Sequence, residues 1–131
     1  KTTDNDHVQP YAGDIVWMAD NIEFFLDKWH WSFTLTGKGP EIFCYEGVDI
    51  SAETVNTDVK LGVKRDGVTT VYEAAIPAFL NKPLALRAGS SCRVGMIMND
   101  LDAKGERHWL ELMPGAGIDN SRAPKMKFLL K

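Results

Sequence analysis

The sequence is poor in the features that mark several large classes of protein. Its 131 residues hold only two cysteines, and 15 Lys and Arg against 18 Asp and Glu give a net charge of −3 with no run of like charges. Because a nucleic-acid-binding surface needs a basic patch, this balance argues against nucleic acid as a partner. No apolar run approaches the roughly 20 residues that span a bilayer, so we expect no membrane insertion either.

The two cysteines, Cys44 and Cys92, do not identify a cellular compartment. One disulfide and two buried free thiols are both compatible with them. Each cysteine lies in an apolar, strand-like run, which favours free and buried thiols.

The chain has the length of one domain, residues 1–131, and little room for two. Hydrophobic residues make up 44% and charged residues 25% of it, as in ordinary globular domains. Such a domain buries roughly two-thirds of its unfolded surface, enough for a core without further crosslinks. Because the chain begins at Lys1, without an initiator Met or a signal peptide, we expect a mature or trimmed segment of a longer protein.

Apolar residues recur with a period of two, which predicts strands with one buried face. Residues 20–27 follow this pattern except at Phe25, and residues 29–36 follow it throughout. In the second run, Trp, Trp, Phe and Leu alternate with His, Ser and Thr. We therefore interpret Trp29 and Trp31 as core residues.

The middle of the chain predicts a hairpin. Apolar residues alternate between 55 and 63 and again between 70 and 76, on either side of Asp66-Gly67. Asp-Gly favours a type I′ turn, and the Pro at position 77 ends the returning strand because it has no N–H to donate. Later strands are predicted over residues 92–99, 107–113 and 126–130, with a helical turn at 78–80. Many short strands without a long amphipathic helix predict an all-β sandwich or barrel.

Four segments stand out along the chain. They are Trp-Met-Ala-Asp-Asn-Ile-Glu-Phe-Phe-Leu-Asp at 17–27, Tyr-Glu-Ala-Ala-Ile-Pro at 72–77, Val-Gly-Met-Ile-Met-Asn-Asp-Leu-Asp at 94–102, and the closing run at 124–130. In this order they resemble carbohydrate-binding module family 9 and its relatives in the DOMON-like group. The resemblance covers nearly the whole chain and implies an antiparallel β-sandwich of jelly-roll-like topology.

The resemblance also implies strands that this sequence lacks. Members of the family usually carry one or two further N-terminal strands before the segment that begins here at Lys1. An uncovered sheet edge favours aggregation. We therefore expect another segment, chain or domain of the same parent protein to cover that edge.

The function implied by the resemblance is non-catalytic binding of a mono-, oligo- or polysaccharide. Such a module belongs to a larger secreted protein, extracellular or periplasmic and bacterial, and is attached to a glycan-active enzyme. The residues themselves show no Gly-x-Ser-x-Gly elbow, no phosphate loop and no zinc-site spacing among the three His, which is in line with a binding module and not an enzyme.

Trp17 is the first candidate for sugar binding. By resemblance it matches a stacking platform, Glu23 matches a carboxylate that binds sugar hydroxyls, and Asp20 and Asn99 are further polar candidates. The alternative is that Trp17 packs at the start of a strand and Glu23 is a solvated strand residue.

Trp109 is the second aromatic candidate. It shares a strand face with Arg107 and Glu111, whereas core packing is the ordinary use of a Trp. Asn120, in the late loop, is a further polar candidate.

The family pattern fails in two places. Sugar binders of the family tend to carry an Arg on the polar face of the strand after the first motif, where this sequence has His30, Ser32 and Thr34. They also carry a second Trp in the late loop, whereas residues 115–124 contain no aromatic residue. The ligand therefore differs from the family's, or binding is weak, or the domain is a structural copy of the fold.

Calcium is a candidate structural cofactor. Asp100 and Asp102 begin a partial match to a twelve-residue calcium loop, but Lys104 stands where an oxygen ligand belongs, so a polar hairpin loop is the better interpretation. Asp4 and Asp6 are alternative ligands, or exposed turn residues.

Two other functions remain as alternatives. One is a β-sandwich that binds nothing and spaces or docks larger domains. The other is a haem-binding electron-transfer domain, because DOMON-like relatives include such domains with His and Met ligands. The possible Met ligands here are Met18, Met96, Met98 and Met113, although Met more often fills gaps in a core.

Overall fold

The computed structural model describes residues 2–46, 55, 58–81, 87–117 and 125–130, and strands dominate it. The strands are β1 (Thr2–Thr3), β2 (Asn21–Leu26), β3 (Trp29–Thr36), β4 (Gly39–Glu46), β5 (Lys60–Asp66), β6 (Thr69–Ala75), β7 (Ser91–Leu101), β8 (Arg107–Glu111) and β9 (Met126–Leu129). Two short 3₁₀ helices cover Gly13–Met18 and Ala78–Asn81.

The described strands form two antiparallel sheets. A three-stranded sheet has the order β1-β6-β5, and a six-stranded sheet has the order β4-β3-β2-β7-β8, with β9 also paired to β7. Strands β8 and β9 pair with different stretches of β7, β8 with 97–101 and β9 with 91–94. The predicted antiparallel all-β sandwich is confirmed.

The main core lies between the two sheets and is centred on β3. Trp29, Trp31 and Phe33 point to one side of this strand and are almost completely buried, as the period-two pattern predicted for both Trp residues. The residues that complete this core come from both sheets, from the connection before β5 and from the second 3₁₀ helix with the residues before it. They are Val55, Val59 and Leu80, with Phe24, Ile42, Cys44, Leu61, Tyr72 and Ile76 packed around them.

The other face of β3 is buried too, which differs from the single buried face predicted. His30, Ser32 and Thr34 are 5%, 0% and 1% exposed. The first 3₁₀ helix packs across β2, β3, β4 and β7 on this side, and its residue Val16 is fully buried. The polar half of the alternation therefore forms a second interior, where every polar group needs a partner.

The central hairpin differs from its prediction in two details. Strand β5 begins at Lys60, and Val55 instead lies in helical backbone, where its carbonyl accepts a hydrogen bond from the N–H of Val59 at 3.2 Å. The turn is formed by Gly67 and Val68, since Asp66 pairs with Thr69. Only Gly67 of these two has a positive φ, 56°, which is typical of a type II′ turn and not of type I′.

Cys44 and Cys92 form no disulfide in the described structure; Cys92 is buried and Cys44 is partly buried in the main core, as the apolar runs around them favoured. Within the described part of the chain, no helix combines the length and the apolar character needed to cross a membrane.

We expect Trp31→Ala to lower the free energy of unfolding by about 3–5 kcal/mol, because it removes a fully buried ring from the main core. Urea denaturation followed by circular dichroism measures the change. Val68→Ala, at a turn position with 45% exposure, is the control and should change the unfolding free energy by less than about 0.5 kcal/mol. Equal losses in the two variants would contradict this assignment of the core.

Candidate functional site

The second interior is organised around a buried carboxylate, that of Glu23. Its Oε2 lies 2.6 Å from Nε2 of His30, and its Oε1 accepts a hydrogen bond from Nδ2 of Asn99 at 2.7 Å. The same Asn99 amide donates to Oδ1 of Asn21 at 2.7 Å, and Nδ2 of Asn21 donates to the Ser32 hydroxyl at 2.6 Å. We call these five buried residues the polar network. They come from β2, β3 and β7.

Strand register brings the polar network together. Asn21 lies opposite Asn99 in the β2–β7 pair, and Glu23 lies opposite Ser32 in the β2–β3 pair. All these positions point to the same side of the sheet, because side chains alternate along each strand.

Aromatic rings enclose the imidazole of the polar network. The His30 ring stacks on Phe25 with centroids 4.2 Å apart, and the Tyr45 ring lies 4.5 Å away. Burial, reinforced by the negative charge of Glu23, raises the pKa of Tyr45, so its hydroxyl stays protonated across the physiological range.

A layer of partly exposed side chains lies above the polar network. Nη2 of Arg107 donates to Oδ1 of Asn99 at 3.1 Å. The guanidinium carbon lies 4.6 Å from the ring centroid of Trp17 and 5.8 Å from that of Trp109. The two indoles remain 37% and 42% exposed. We call Trp17, Arg107 and Trp109 the platform. The platform places the apolar surfaces of two indoles next to the guanidinium of Arg107, which is hydrogen-bonded to Asn99.

The first 3₁₀ helix places Trp17 on the platform. Its start is held by Glu41, whose Oε1 accepts from the N–H of Gly13 at 2.6 Å. Its end is held by Gln9, whose Nε2 donates to the carbonyls of Val16 at 3.1 Å and Asp20 at 2.9 Å. Trp17 therefore belongs to this helix, which precedes β2.

A glycine loop positions Trp109. A Cβ atom on Gly117 would lie 2.4 Å from Nε1 of Trp109, so only glycine allows the loop backbone to pack against the indole. Oε2 of Glu111 accepts from the N–H of Gly117 at 2.9 Å. This hydrogen bond, with others from Gly115 and Ala116, lowers the pKa of Glu111.

Asp20 has a different position from the one that a sugar contact would need. It is 5% exposed. Its Oδ1 accepts from the N–H of Leu101 and its Oδ2 from the N–H of Val8, both at 2.7 Å. Asp20 thus ties the N-terminal segment to the end of β7.

A pocket of about 730 Å³ opens beside Asp20, between the N-terminal segment and the ends of β7 and β8. Carboxylates are prominent among its lining residues, which include Asp4, Asp6, Asp20, Asp100 and Asp102. Burial, together with the charges of Asp20 and Asp4, raises the pKa of Asp100.

Two groups of side chains in the described residues have metal-ligand spacing. The first is Asp4, His7 and Asp20, and its ligand atoms lie within 4.8 Å of one another. Asp4 already lies 3.5 Å from the Arg65 guanidinium. Nε2 of His7 lies 2.7 Å from the Leu35 carbonyl and Nδ1 lies 3.2 Å from Oδ2 of Asp20. Because both oxygens are acceptors, a proton or a metal ion must lie between Nδ1 and the carboxylate.

The second group is Asp102, Glu106 and His108, in the loop that partly matches the calcium pattern. Oδ1 of Asp102 accepts from the N–H of Glu106 at 2.8 Å and from that of Lys104 at 2.9 Å, and these bonds lower the pKa of Asp102. The loop closes as a polar hairpin turn, in line with the preferred interpretation of its sequence.

The structure thus divides the predicted sugar-binding residues. Trp17 and Trp109 share the platform, and Glu23 and Asn99 lie buried beneath it. Asp20 lies on the N-terminal side of the acidic pocket, which Asn99 and Trp109 also line. Asn120 is outside the described residues.

Arg107 is the platform residue that the sequence did not single out as a binding residue. The family pattern placed an Arg on the strand after the first motif, whereas here the guanidinium comes from β8, a long way along the chain. The one signal in the sequence was its shared face with Trp109.

Comparison with known proteins identified no relative: no family model, curated protein or solved structure matches this chain. The likeness to carbohydrate-binding module family 9 therefore rests on the four sequence segments.

We expect Glu111→Gln to destabilise the protein at neutral pH but not in acid. Because the folded pKa of Glu111 is lowered from 4.5, its contribution to stability is present above that value and is lost as the pH falls through the folded pKa. Urea midpoints measured from neutral pH down to acid should converge for wild type and variant.

The control is Glu106→Gln, whose side chain is 69% exposed. Its urea midpoints should stay close to those of wild type at every pH. A constant gap between Glu111→Gln and wild type in acid would show that the carboxylate charge does not hold the loop.

Proposed function

We propose that this chain is a non-catalytic carbohydrate-binding module and that the platform of Trp17, Arg107 and Trp109 binds the sugar. The observation that carries the proposal is the presence of two half-exposed indoles on one face with a guanidinium between them. Trp is a residue that folding normally buries to a large extent. Flat aromatic faces next to polar donors suit the C–H surfaces and hydroxyls of a saccharide.

The polar network supports the platform from below. Asn99 holds the Arg107 guanidinium, and Asn99 is itself held by Glu23 and Asn21. A side chain fixed in this way loses little conformational freedom on binding, which favours affinity. In this proposal Glu23 and Asn99 are positioning residues, and the sugar hydroxyls contact Arg107.

A binding role agrees with the burial of the acid–base pair on this face. Glu23 and His30 are 2% and 5% exposed. A general acid or base must come within hydrogen-bond reach of its substrate, and these two groups face each other inside the domain. Their geometry supports a structural task in the proposed module.

The wider setting of the proposal comes from the sequence resemblance. It comprises a larger secreted parent protein, extracellular or periplasmic and bacterial, in which the module is attached to a glycan-active enzyme. A β-sandwich with two sheets and an exposed platform is compatible with such a setting.

A spacer domain is the second candidate, and one observation favours it. Arg107 covers part of Trp17, so the platform also works as a compact cation–π stack that needs no ligand. The haem alternative has less support, since both ring nitrogens of His7 already lie near protein oxygens and His30 is paired with Glu23.

We expect Trp17→Ala and Trp109→Ala each to weaken saccharide binding at least about tenfold, the effect of removing a central aromatic contact. A glycan array identifies the sugar, and tryptophan fluorescence titration with affinity electrophoresis measures the loss. Phe79→Ala, at an exposed aromatic residue of the second 3₁₀ helix, is the control. It should bind like wild type. Unchanged binding in both Trp variants, or no binding by the folded wild type, would favour a spacer.

The proposal includes a structural divalent cation in the acidic pocket, with calcium as the first candidate because the pocket offers carboxylate oxygens. At a hundredfold excess over its dissociation constant, calcium should stabilise chelator-treated protein by about 2.7 kcal/mol. Asp4→Asn should remove this effect. Stabilisation by zinc but not by calcium would identify a transition-metal site, since His7 is the ligand type that zinc prefers; no effect of either ion would contradict the site.

A further inference from the structure

Arg107 is a cation without a counter-ion in the described part of the structure. The salt bridges there do not include it, so no carboxylate oxygen in that part lies within 4.0 Å of its guanidinium. Of its five N–H donors, one is used by Asn99. A guanidinium held in place with unused donors is ready for an acceptor from outside the protein.

Neighbouring carboxylates on the same face of the sheet are committed elsewhere. Glu23 lies beneath the platform and is bound to His30 and Asn99. Glu111, on the same strand as Arg107, accepts from the backbone of Gly117. Among the described residues, these contacts explain why neither carboxylate neutralises the guanidinium, although the protein has a net charge of −3.

The geometry of the platform selects the shape of the acceptor. The guanidinium carbon lies 4.6 Å from the ring centroid of Trp17 and 5.8 Å from that of Trp109. The two indoles therefore limit the space in which an acceptor can reach the guanidinium, and Asn99 of the polar network binds it from below. The guanidinium plane presents paired N–H groups in a fork, which matches the two oxygens of a planar carboxylate. A neutral hydroxyl can accept one of these hydrogen bonds but supplies no charge.

We propose that the saccharide bound at the platform is an acidic one, and that Arg107 binds the carboxylate of a uronic acid unit while the indoles contact the sugar ring. This inference rests on the proposed function and names its ligand class. It also gives Arg107 the role of determining specificity, whereas Trp17 and Trp109 provide contact area that a neutral sugar would use equally well.

The test compares four ligands on the wild-type protein: an oligouronate, its methyl ester, the neutral oligosaccharide of the same linkage, and a sulfated form of that neutral oligosaccharide. We expect the oligouronate to bind at least about tenfold more tightly than the ester and the neutral form, which is the gain typical of a charge-assisted pair. This difference should shrink at high salt because screening weakens a partly exposed ion pair.

Two variants then assign the effect to one side chain. Arg107→Lys keeps the charge but loses the fork, and we expect it to remove most of the preference for the oligouronate over its ester. Arg107→Gln should remove the preference entirely. Arg93→Lys, at an exposed position on β7, is the matched control and should retain it. Thermal unfolding confirms that each variant is folded, and the four-ligand comparison needs no variant.

The outcomes separate this inference from the proposed function. Equal binding of the oligouronate and the neutral oligosaccharide overturns the acidic ligand and leaves a neutral-sugar module. Tighter binding of the sulfated form than of the oligouronate also overturns it, because the acceptor is then tetrahedral. Absence of binding to all four ligands and to a glycan array overturns the proposed function itself.

Discussion

The buried carboxylate of Glu23 is the constraint on which much of this structure depends. Placing a carboxylate in a protein interior costs several kcal/mol unless it is paired and hydrogen-bonded. Its partners, His30 and Asn99, come from the strands on either side of β2. A shift of one residue in either strand pairing would turn these side chains to the other face. The charge therefore specifies the register of three neighbouring strands.

The same constraint extends to the protein surface. Asn99 satisfies Glu23 with its amide and uses its carbonyl oxygen to hold Arg107, so the guanidinium is fixed by the interior. The 3₁₀ helix that covers the polar network carries Trp17 to one side of it, and the Gly117 loop supports Trp109 on the other. The buried polar network and the exposed platform are thus linked through Asn99.

Local sequence patterns predicted the architecture well because the alternation of side chains along a strand and the conformation of a turn depend mainly on neighbouring residues. The alternation around Trp29 and Trp31 identified a strand and its core face, and the hairpin was visible from its apolar period and its glycine. The turn type was wrong because Gly67 takes the first central position, a choice made by cross-strand pairing. The 3₁₀ helix that contains Trp17 was not predicted, because the pattern of the motif does not show which backbone conformation precedes the strand.

By itself the sequence determined most of the strands, the core position of Trp29 and Trp31 and the candidate aromatic residues, since each depends on side-chain character at fixed spacing along the chain. It did not predict β1 or β4. Tertiary structure alone decided that the polar face of β3 is buried and that Arg107, from β8, joins Trp17. It also decided that Asp20 supports the N-terminal segment. These outcomes depend on which strands become neighbours, because burial and pairing of polar groups are properties of the assembled sheet and not of any one segment.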